Sequence, residues 1–215
     1  MTVPMMRYSV SISSVIVEEI KKIGESALIV YYYFDFRNAT KRTIRGLLTY
    51  VVMQLADSDA SDKCRDILSK FHTECKYGSE QPSEPALTQC LKNMLDSLGQ
   101  VPVYIIVDAL DECPDNIGTP SARAKVLDFM DELVKANHPN LFICLTSRPE
   151  PDISEVFNPL TSPSRRVSLH NENGQKEDIN NYLRHFVRTD KDMRRWREED
   201  KQLVINTLSE KAGGM

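Results

Sequence analysis

The segment VYIIVDALDE, residues 103–112, decides the fold class, because a run of apolar residues passes directly into acidic ones. Its first five residues are apolar or aromatic, and four of them are β-branched. Such a run predicts a strand of a parallel sheet that is buried on both faces. Asp108 follows the run directly, and open α/β sheets bind ligands at the carboxyl ends of their strands. The segment therefore predicts an α/β fold with a ligand site that includes Asp108.

The rest of the chain alternates between strand-like and helix-like patterns. Residues 27–36 and 141–146 are almost wholly apolar and predict two further strands. Residues 165–169 predict a short last strand, and the proline and serine residues before them predict a loop. Apolar residues recur at helical spacing in segments 12–23, 44–55, 64–71, 87–98, 126–134, 179–187 and 203–208. This alternation predicts a parallel sheet with helices on both faces, followed by C-terminal helices.

Composition and charge exclude several classes of function. A net charge of −4 and a pI of about 5.6 argue against a protein that binds nucleic acid through phosphate contacts. No apolar run approaches the roughly 18 residues that a transmembrane helix needs, so we expect no membrane partner. The five cysteines form no Cys-x-x-Cys pair, which favours reduced thiols and a cytoplasmic location.

Four segments in a fixed order carry a resemblance to a known family. They are YYYFDFRNATKRTIRGLLTYVVMQL, VYIIVDALDEC, LFICLTSRPEPDI and RRVSLHNENGQKEDINNYL. In this order they resemble the NACHT domain of fungal signal-transducing (STAND-type) P-loop NTPases, of the nephrocystin-like N-terminal type. The resemblance implies a P-loop NTPase-like fold that binds ATP and magnesium. It also implies a divergent segment at residues 1–11, a partial nucleotide-binding domain at 12–170 and a helical extension at 171–215.

The resemblance also implies roles for four residues. Asp108 resembles the Walker B aspartate, a hard oxygen ligand that a strand end would hold in place for magnesium. Asp111 or Glu112 resembles the catalytic acid that orients or deprotonates the attacking water. Arg148 resembles the sensor that contacts the γ-phosphate of the bound cofactor, a task that suits the fixed charge and forked donors of a guanidinium.

One part of the family pattern is missing. A P-loop needs Gly-x-x-x-x-Gly-Lys-Ser/Thr, because glycine amides and a lysine must reach phosphate oxygens. No such sequence occurs here, and the first glycine and the first lysine are Gly24 and Lys21. We therefore expect the sheet to lack the usual first, central strand. Relatives also continue beyond the glycines at 213–214. The missing loop predicts impaired nucleotide binding and leaves open that this chain binds neither cofactor.

Two other functions compete with the nucleotide switch. The first is a non-catalytic interaction fragment, or pseudo-NTPase, of a larger repeat-containing NACHT protein. It would act through protein partners or self-association, and Trp196 could anchor such a partner. The second is a magnesium-dependent nuclease that uses the acids. The acidic pI and the lack of a nearby lysine argue against the nuclease.

The candidate residues also have structural interpretations. Asp108, Asp111 and Glu112 could form a turn or a helix cap after a core strand. Arg148 could be a loop residue before Pro149. No histidine lies near Cys113 in sequence, so a partly buried thiol is a better interpretation of Cys113 than a nucleophile.

Overall fold

The computed structural model describes residues 12–23, 27–58, 62–116, 120–167 and 173–211. The chain divides into two compact units, Met1–Leu160 and Thr161–Met215. In the described residues the first unit combines helices with a parallel sheet, and the second is helical. The divergent N-terminal segment predicted at residues 1–11 lies outside the described residues.

Three parallel strands form the sheet of the first unit. They are β1 (Leu28–Tyr33), β2 (Val103–Asp108) and β3 (Leu141–Leu145), in the spatial order β1-β2-β3. Leu28 lies opposite Val103, and Val103 lies opposite Leu141. The sequence-based expectation that the strand ending at Asp108 lies beside the strand ending near Thr146 is confirmed. β2 is the central strand, with its backbone paired to β1 on one side and to β3 on the other.

Eight α-helices occur in the described residues. The first unit contains α1 (Ile12–Ile23), α2 (Ile44–Asp57), α3 (Asp62–Glu74), α4 (Glu84–Leu98), α5 (Ala122–Lys135) and α6 (Pro151–Leu160). The second unit contains α7 (Asn173–Thr189) and α8 (Glu198–Lys211). Each helix predicted from apolar spacing is present. This α/β architecture is compatible with a P-loop NTPase-like fold.

Hydroxyl side chains fix the starts of three helices. The side chains of Thr43, Ser83 and Ser121 accept hydrogen bonds from backbone amides in the first turns of α2, α4 and α5. These bonds satisfy donors that have no partner within the helix. The short polar residues at these positions therefore set where the chain turns from loop into helix.

The core lies mainly on one face of the sheet. Val30, Ile105 and Val107 belong to one buried cluster with residues of α2, α4 and α5. Ile20 of α1 and Ile106 of β2 are also buried, but they do not belong to that cluster. Since α1 contacts β2, α1 covers the second face of the sheet at this point. Helices thus lie on both faces, but the second face is less fully covered. On this second face, the aromatic residues Tyr31 and Phe142 remain about half exposed.

The loop after β1 begins earlier than the sequence predicts. The expected strand at residues 27–36 ends at Tyr33. Beyond it, the Asp35 carboxylate accepts a hydrogen bond from the Arg37 amide at 2.9 Å, and the Asn38 side chain accepts one from the Thr40 amide at 3.1 Å. These local bonds compete with strand pairing, as is usual for Asp and Asn.

The structure corrects two predictions about residues 151–169. The strand expected at 165–169 is wrong in its described part: Pro163–Arg165 is a 3-10 helix, residues 166–167 form no strand, and 168–169 lie outside the described residues. The segment before it, expected to be loop, contains α6. Pro151 suits the first position of that helix, and α6 buries Ile153 and packs against α5. Tertiary packing outweighs the loop-like composition.

In the second unit, α7 packs against α8, and Val187 and Ile205 are buried. The described part of the chain has no helix that is both long and apolar enough to cross a membrane.

Candidate functional site

Asp108 lies at the carboxyl end of β2 and joins the ends of two strands. Its Oδ1 accepts hydrogen bonds from the Ala109 amide at 3.0 Å and from the Thr146 hydroxyl. Thr146 follows β3, and its amide donates to the Val107 carbonyl at 2.9 Å. The parallel register brings these two strand ends together, so the carboxylate is held by groups from both strands.

The chain leaves β2 through a constrained turn. Ala109 has a φ of 55° and a ψ of 47°, in the left-handed region of the backbone that residues other than glycine rarely adopt. The Ala109 amide also donates to the Thr146 hydroxyl oxygen at 3.1 Å, and the Leu110 amide donates to the Thr146 carbonyl at 3.0 Å. The turn directs the following 3-10 helix, Leu110–Glu112, back over the end of β3.

Asp111 and Arg148 form an ion pair at this edge. The Asp111 carboxylate accepts from the Arg148 amide at 3.0 Å and lies 3.1 Å from Arg148 Nε. The Asp111 side chain is only 9% exposed, whereas that of Arg148 is 75% exposed. The buried acid therefore fixes the loop after β3 and leaves much of the guanidinium in solvent.

Glu112 connects residues 109–113, which we call the acidic turn, to the loop after β1. Its Oε2 accepts a hydrogen bond from the Phe36 amide at 3.1 Å. Next to it, the Cys113 thiol donates to the Arg42 carbonyl, with a sulfur-to-oxygen distance of 3.4 Å. The acidic turn follows β2 and contacts the loops after β1 and β3. Each of the four residues named from the sequence lies at this one edge of the sheet.

Arg123, which was not predicted from the sequence, also contacts the acidic turn. This buried arginine donates from Nη2 to the Asp111 carbonyl at 2.7 Å and from Nε to the Cys113 carbonyl at 2.8 Å. Its Nη1 lies 3.3 Å from a carboxylate oxygen of Asp152 on α6. A signal for it exists in the sequence: Arg123 precedes the apolar residues of α5 by a helical period and so falls on the buried face.

The two cysteines near the site have the properties of unreactive thiols. Burial raises the pKa of Cys113 to about 12, against a smaller opposing effect of Arg123. Burial, and then the charge of Asp108, also raise the pKa of Cys144. A thiol with a raised pKa is protonated near neutral pH and is a poor nucleophile. This agrees with the interpretation of Cys113 as a thiol that is not a nucleophile, and the structure buries it fully rather than partly.

The residues at this edge include oxygen atoms of the kind that bind magnesium, but they lack the usual donors for a triphosphate. The described residues contain no group of three or more His, Cys, Asp or Glu side chains arranged to hold a metal. Protein sites for Mg²⁺, however, often use one or two carboxylates together with waters and substrate phosphates, and Asp108 beside the Thr146 hydroxyl offers such oxygens. Arg148 could contact one phosphate, but the sequence has no glycine-rich loop with a lysine for the others.

Comparison with known proteins identifies the family. A family model described as "Nephrocystin 3, N-terminal" matches residues 9–148, about two thirds of the 215 residues. The match includes β1, β2 and β3 and the four candidate site residues. A search of curated proteins gave no match, and a search of solved structures gave none either. Because the matched region covers well over half of its sequence, this chain belongs to the nephrocystin 3 N-terminal family.

Proposed function

We propose that this chain is a NACHT-type ATP-binding signalling module in which nucleotide binding is impaired. One observation carries the proposal. Asp108, Asp111, Glu112 and Arg148, which we call the acidic cluster, lie at the carboxyl ends of two parallel strands. Asp108 bonds to Thr146, and Asp111 pairs with Arg148, so both contacts join the end of β2 to the end of β3. Ligands of open α/β sheets bind at such an edge. The free cysteines fit a module that works in the cytoplasm.

Each residue of the cluster has a distinct role in this proposal. Asp108 supplies the oxygen ligand for magnesium, which would neutralise phosphate charge when bound. Glu112, which is less constrained, orients or deprotonates the attacking water. Asp111 is already committed to two contacts with Arg148, so it acts as a positioning residue that aims the exposed guanidinium. Arg148 contacts the γ-phosphate through donors that its ion pair with Asp111 leaves in solvent.

Electrostatics explains why binding would be impaired. Polyphosphates are normally held by backbone amides of a glycine-rich loop, by a helix N-terminus and by a lysine. At this edge the three carboxylates of Asp108, Asp111 and Glu112 outnumber the guanidinium of Arg148. They therefore repel a polyphosphate unless magnesium lies between the carboxylates and the phosphates. Arg148 alone does not replace the donors that a phosphate cradle supplies.

Isothermal titration with magnesium-ATP tests the proposal directly. We expect no saturable heat below about 1 mM nucleotide, because the phosphates lack a cradle. A dissociation constant near 1 μM would contradict the impaired site and favour a competent ATPase. The variant Arg148→Met serves as a control, since any weak binding that depends on this site should fall further.

Magnesium binding without nucleotide tests the role of Asp108. We expect weak binding of Mn²⁺, used as a paramagnetic substitute for Mg²⁺, to be lost in Asp108→Asn and kept in Glu112→Gln. The physical reason is that a rigid strand-end carboxylate is a better-positioned ligand than a carboxylate in a turn. Electron paramagnetic resonance measures the free ion. Loss of binding in Glu112→Gln alone would show that the roles are wrongly assigned.

A non-catalytic interaction module is the second candidate, and one observation favours it. All three carboxylates accept hydrogen bonds from groups of this chain: Asp108 from Thr146, Asp111 from Arg148 and Glu112 from the Phe36 amide. Such acids can serve the fold alone. Light scattering with magnesium-ATP raised well above about 1 mM separates the candidates, because weak binding to an impaired switch would then change its assembly. A pure interaction module would not change its assembly at any nucleotide concentration.

A further inference from the structure

A groove lies away from the acidic cluster, between α2, α3 and the segment that leads into α4. It has a volume of about 350 Å³ and is mainly apolar. Its apolar walls are formed by Val52, Met53, Leu68, Phe71 and Leu87. Met53, a large apolar residue, is 53% exposed and borders the groove beside the exposed Thr49. We call this feature the α2–α3 groove.

One wall of the α2–α3 groove is preformed by backbone hydrogen bonds. The carbonyl of Cys75 accepts from the amides of Gly78 at 3.1 Å and Glu80 at 3.3 Å. Lys76 and Gly78 have positive φ angles, which turn the chain sharply at this point. Arg45 fastens the end of the wall, because its Nη1 donates to the Pro82 carbonyl. A preformed cavity of this size lies in the range that binds small molecules.

The groove also presents one unbalanced positive charge. Arg45 lines it, is half-buried, and has no carboxylate within 4.0 Å among the described residues. The nearby acid, Glu80, is paired with Lys76 and so does not neutralise Arg45. A guanidinium with donors left over after its bond to Pro82 is suited to a planar carboxylate.

We propose that the α2–α3 groove binds a small amphiphilic carboxylate. The apolar body of the ligand lies against Val52, Met53, Leu68 and Phe71, and its carboxylate pairs with Arg45. The single cation favours a monoanion over a phosphate with two charges. The cavity volume favours a small molecule over a helix of another protein. This binding activity is separate from the acidic cluster and does not depend on nucleotide.

Alkylation of Cys75 provides the test, because this partly exposed thiol lines the groove. Octanoate is the probe, octanol is its uncharged counterpart, and mass spectrometry follows maleimide labelling of each cysteine. We expect octanoate to slow labelling of Cys75, with half-maximal protection at about 1 mM or lower. Labelling of N-acetylcysteine, a free thiol added to the same reaction, should not change. Equal slowing of Cys75 and of the free thiol, or no slowing of Cys75, would overturn the proposal.

Three variants separate the charge from the apolar wall. In the parent protein, octanoate should protect Cys75 at a concentration about tenfold lower than octanol, because only the carboxylate pairs with Arg45. Arg45→Met should remove this difference, and Arg45→Lys should keep most of it. Met53→Glu changes an exposed residue, so the fold is retained, and it should weaken octanoate more than octanol. A preference for octanoate that survives in Arg45→Met would contradict the proposed contact. Displacement of octanoate by an amphipathic helical peptide but not by octanol would show a protein-docking groove instead.

Discussion

Replacing Arg123 by methionine is expected to lower the free energy of unfolding by about 3 kcal/mol, the largest effect of any single change at the site. The guanidinium is buried and donates to the carbonyls of Asp111 and Cys113. Methionine fills a similar volume but donates no hydrogen bond. Both carbonyls would then be left without these donors, and each such loss costs about 1–3 kcal/mol. Urea denaturation followed by circular dichroism measures the change.

Lys125→Met is the matched control for this prediction. Lys125 lies on the same helix, α5, and its ion pair with Glu84, at 3.5 Å, is solvent-exposed. We expect it to cost less than about 1 kcal/mol, because solvent screens exposed pairs. The acidic turn should also loosen in Arg123→Met, so that the buried Cys113 becomes accessible to alkylation. A loss of stability no greater than that of Lys125→Met would show that Arg123 does not hold the turn.

Replacing Gly46 by alanine is expected to destabilise the protein by about 2 kcal/mol, although alanine is the better helix former. A Cβ at this position would collide with the Thr40 carbonyl oxygen and would lie 2.6 Å from Tyr32 Oη. The Thr40 carbonyl belongs to backbone and cannot rotate away as a flexible side chain could. The clash therefore moves the 3-10 helix Ala39–Arg42, whose last carbonyl accepts from the Cys113 thiol. Thermal and urea unfolding measure the loss.

Two companion variants identify the cause of this effect. Thr49→Ala changes an exposed residue of α2, the helix that contains Gly46, and should alter stability by less than about 0.5 kcal/mol. Tyr32→Phe removes a buried hydroxyl that has no hydrogen-bond partner among the described residues, so it should be neutral or stabilising. The double variant Tyr32→Phe/Gly46→Ala should regain only part of the stability that Gly46→Ala loses, because the clash with the Thr40 carbonyl remains. Full restoration would assign the clash to Tyr32 alone, and no loss in Gly46→Ala would contradict the close approach.

Much of the candidate site could be predicted from the sequence, because its residues directly follow strands. Asp108 and Arg148 are each marked by a preceding apolar run, and parallel strands place their carboxyl ends at one edge. The helical segment 151–160 could not be predicted. Its proline and serine content favours a loop locally, and the burial that stabilises it depends on α5.

Arg123 escaped prediction for a different reason. Its position on the apolar face of α5 was visible, but its partners are backbone carbonyls. Every residue has a carbonyl, so no residue type in the sequence marks the ones that need a donor. Only the path of the chain after β2 brings them within reach.

By itself, the sequence determined the three strands of the sheet, most of the helices and the edge where the acids lie, because apolar residues recur with the period of the buried positions. It also predicted a strand at 165–169 that is not present in the described part of that segment. Only the tertiary structure decided which groups meet there. Asp111 and Arg148 are 37 residues apart, and Glu112 and the Phe36 amide are 76 residues apart. These contacts depend on strand register and on distances of a few ångströms, which packing sets and a local pattern does not encode. The same holds for Gly46 under the Thr40 carbonyl and for Arg45 beside the α2–α3 groove, because each position is defined by what the rest of the chain places next to it.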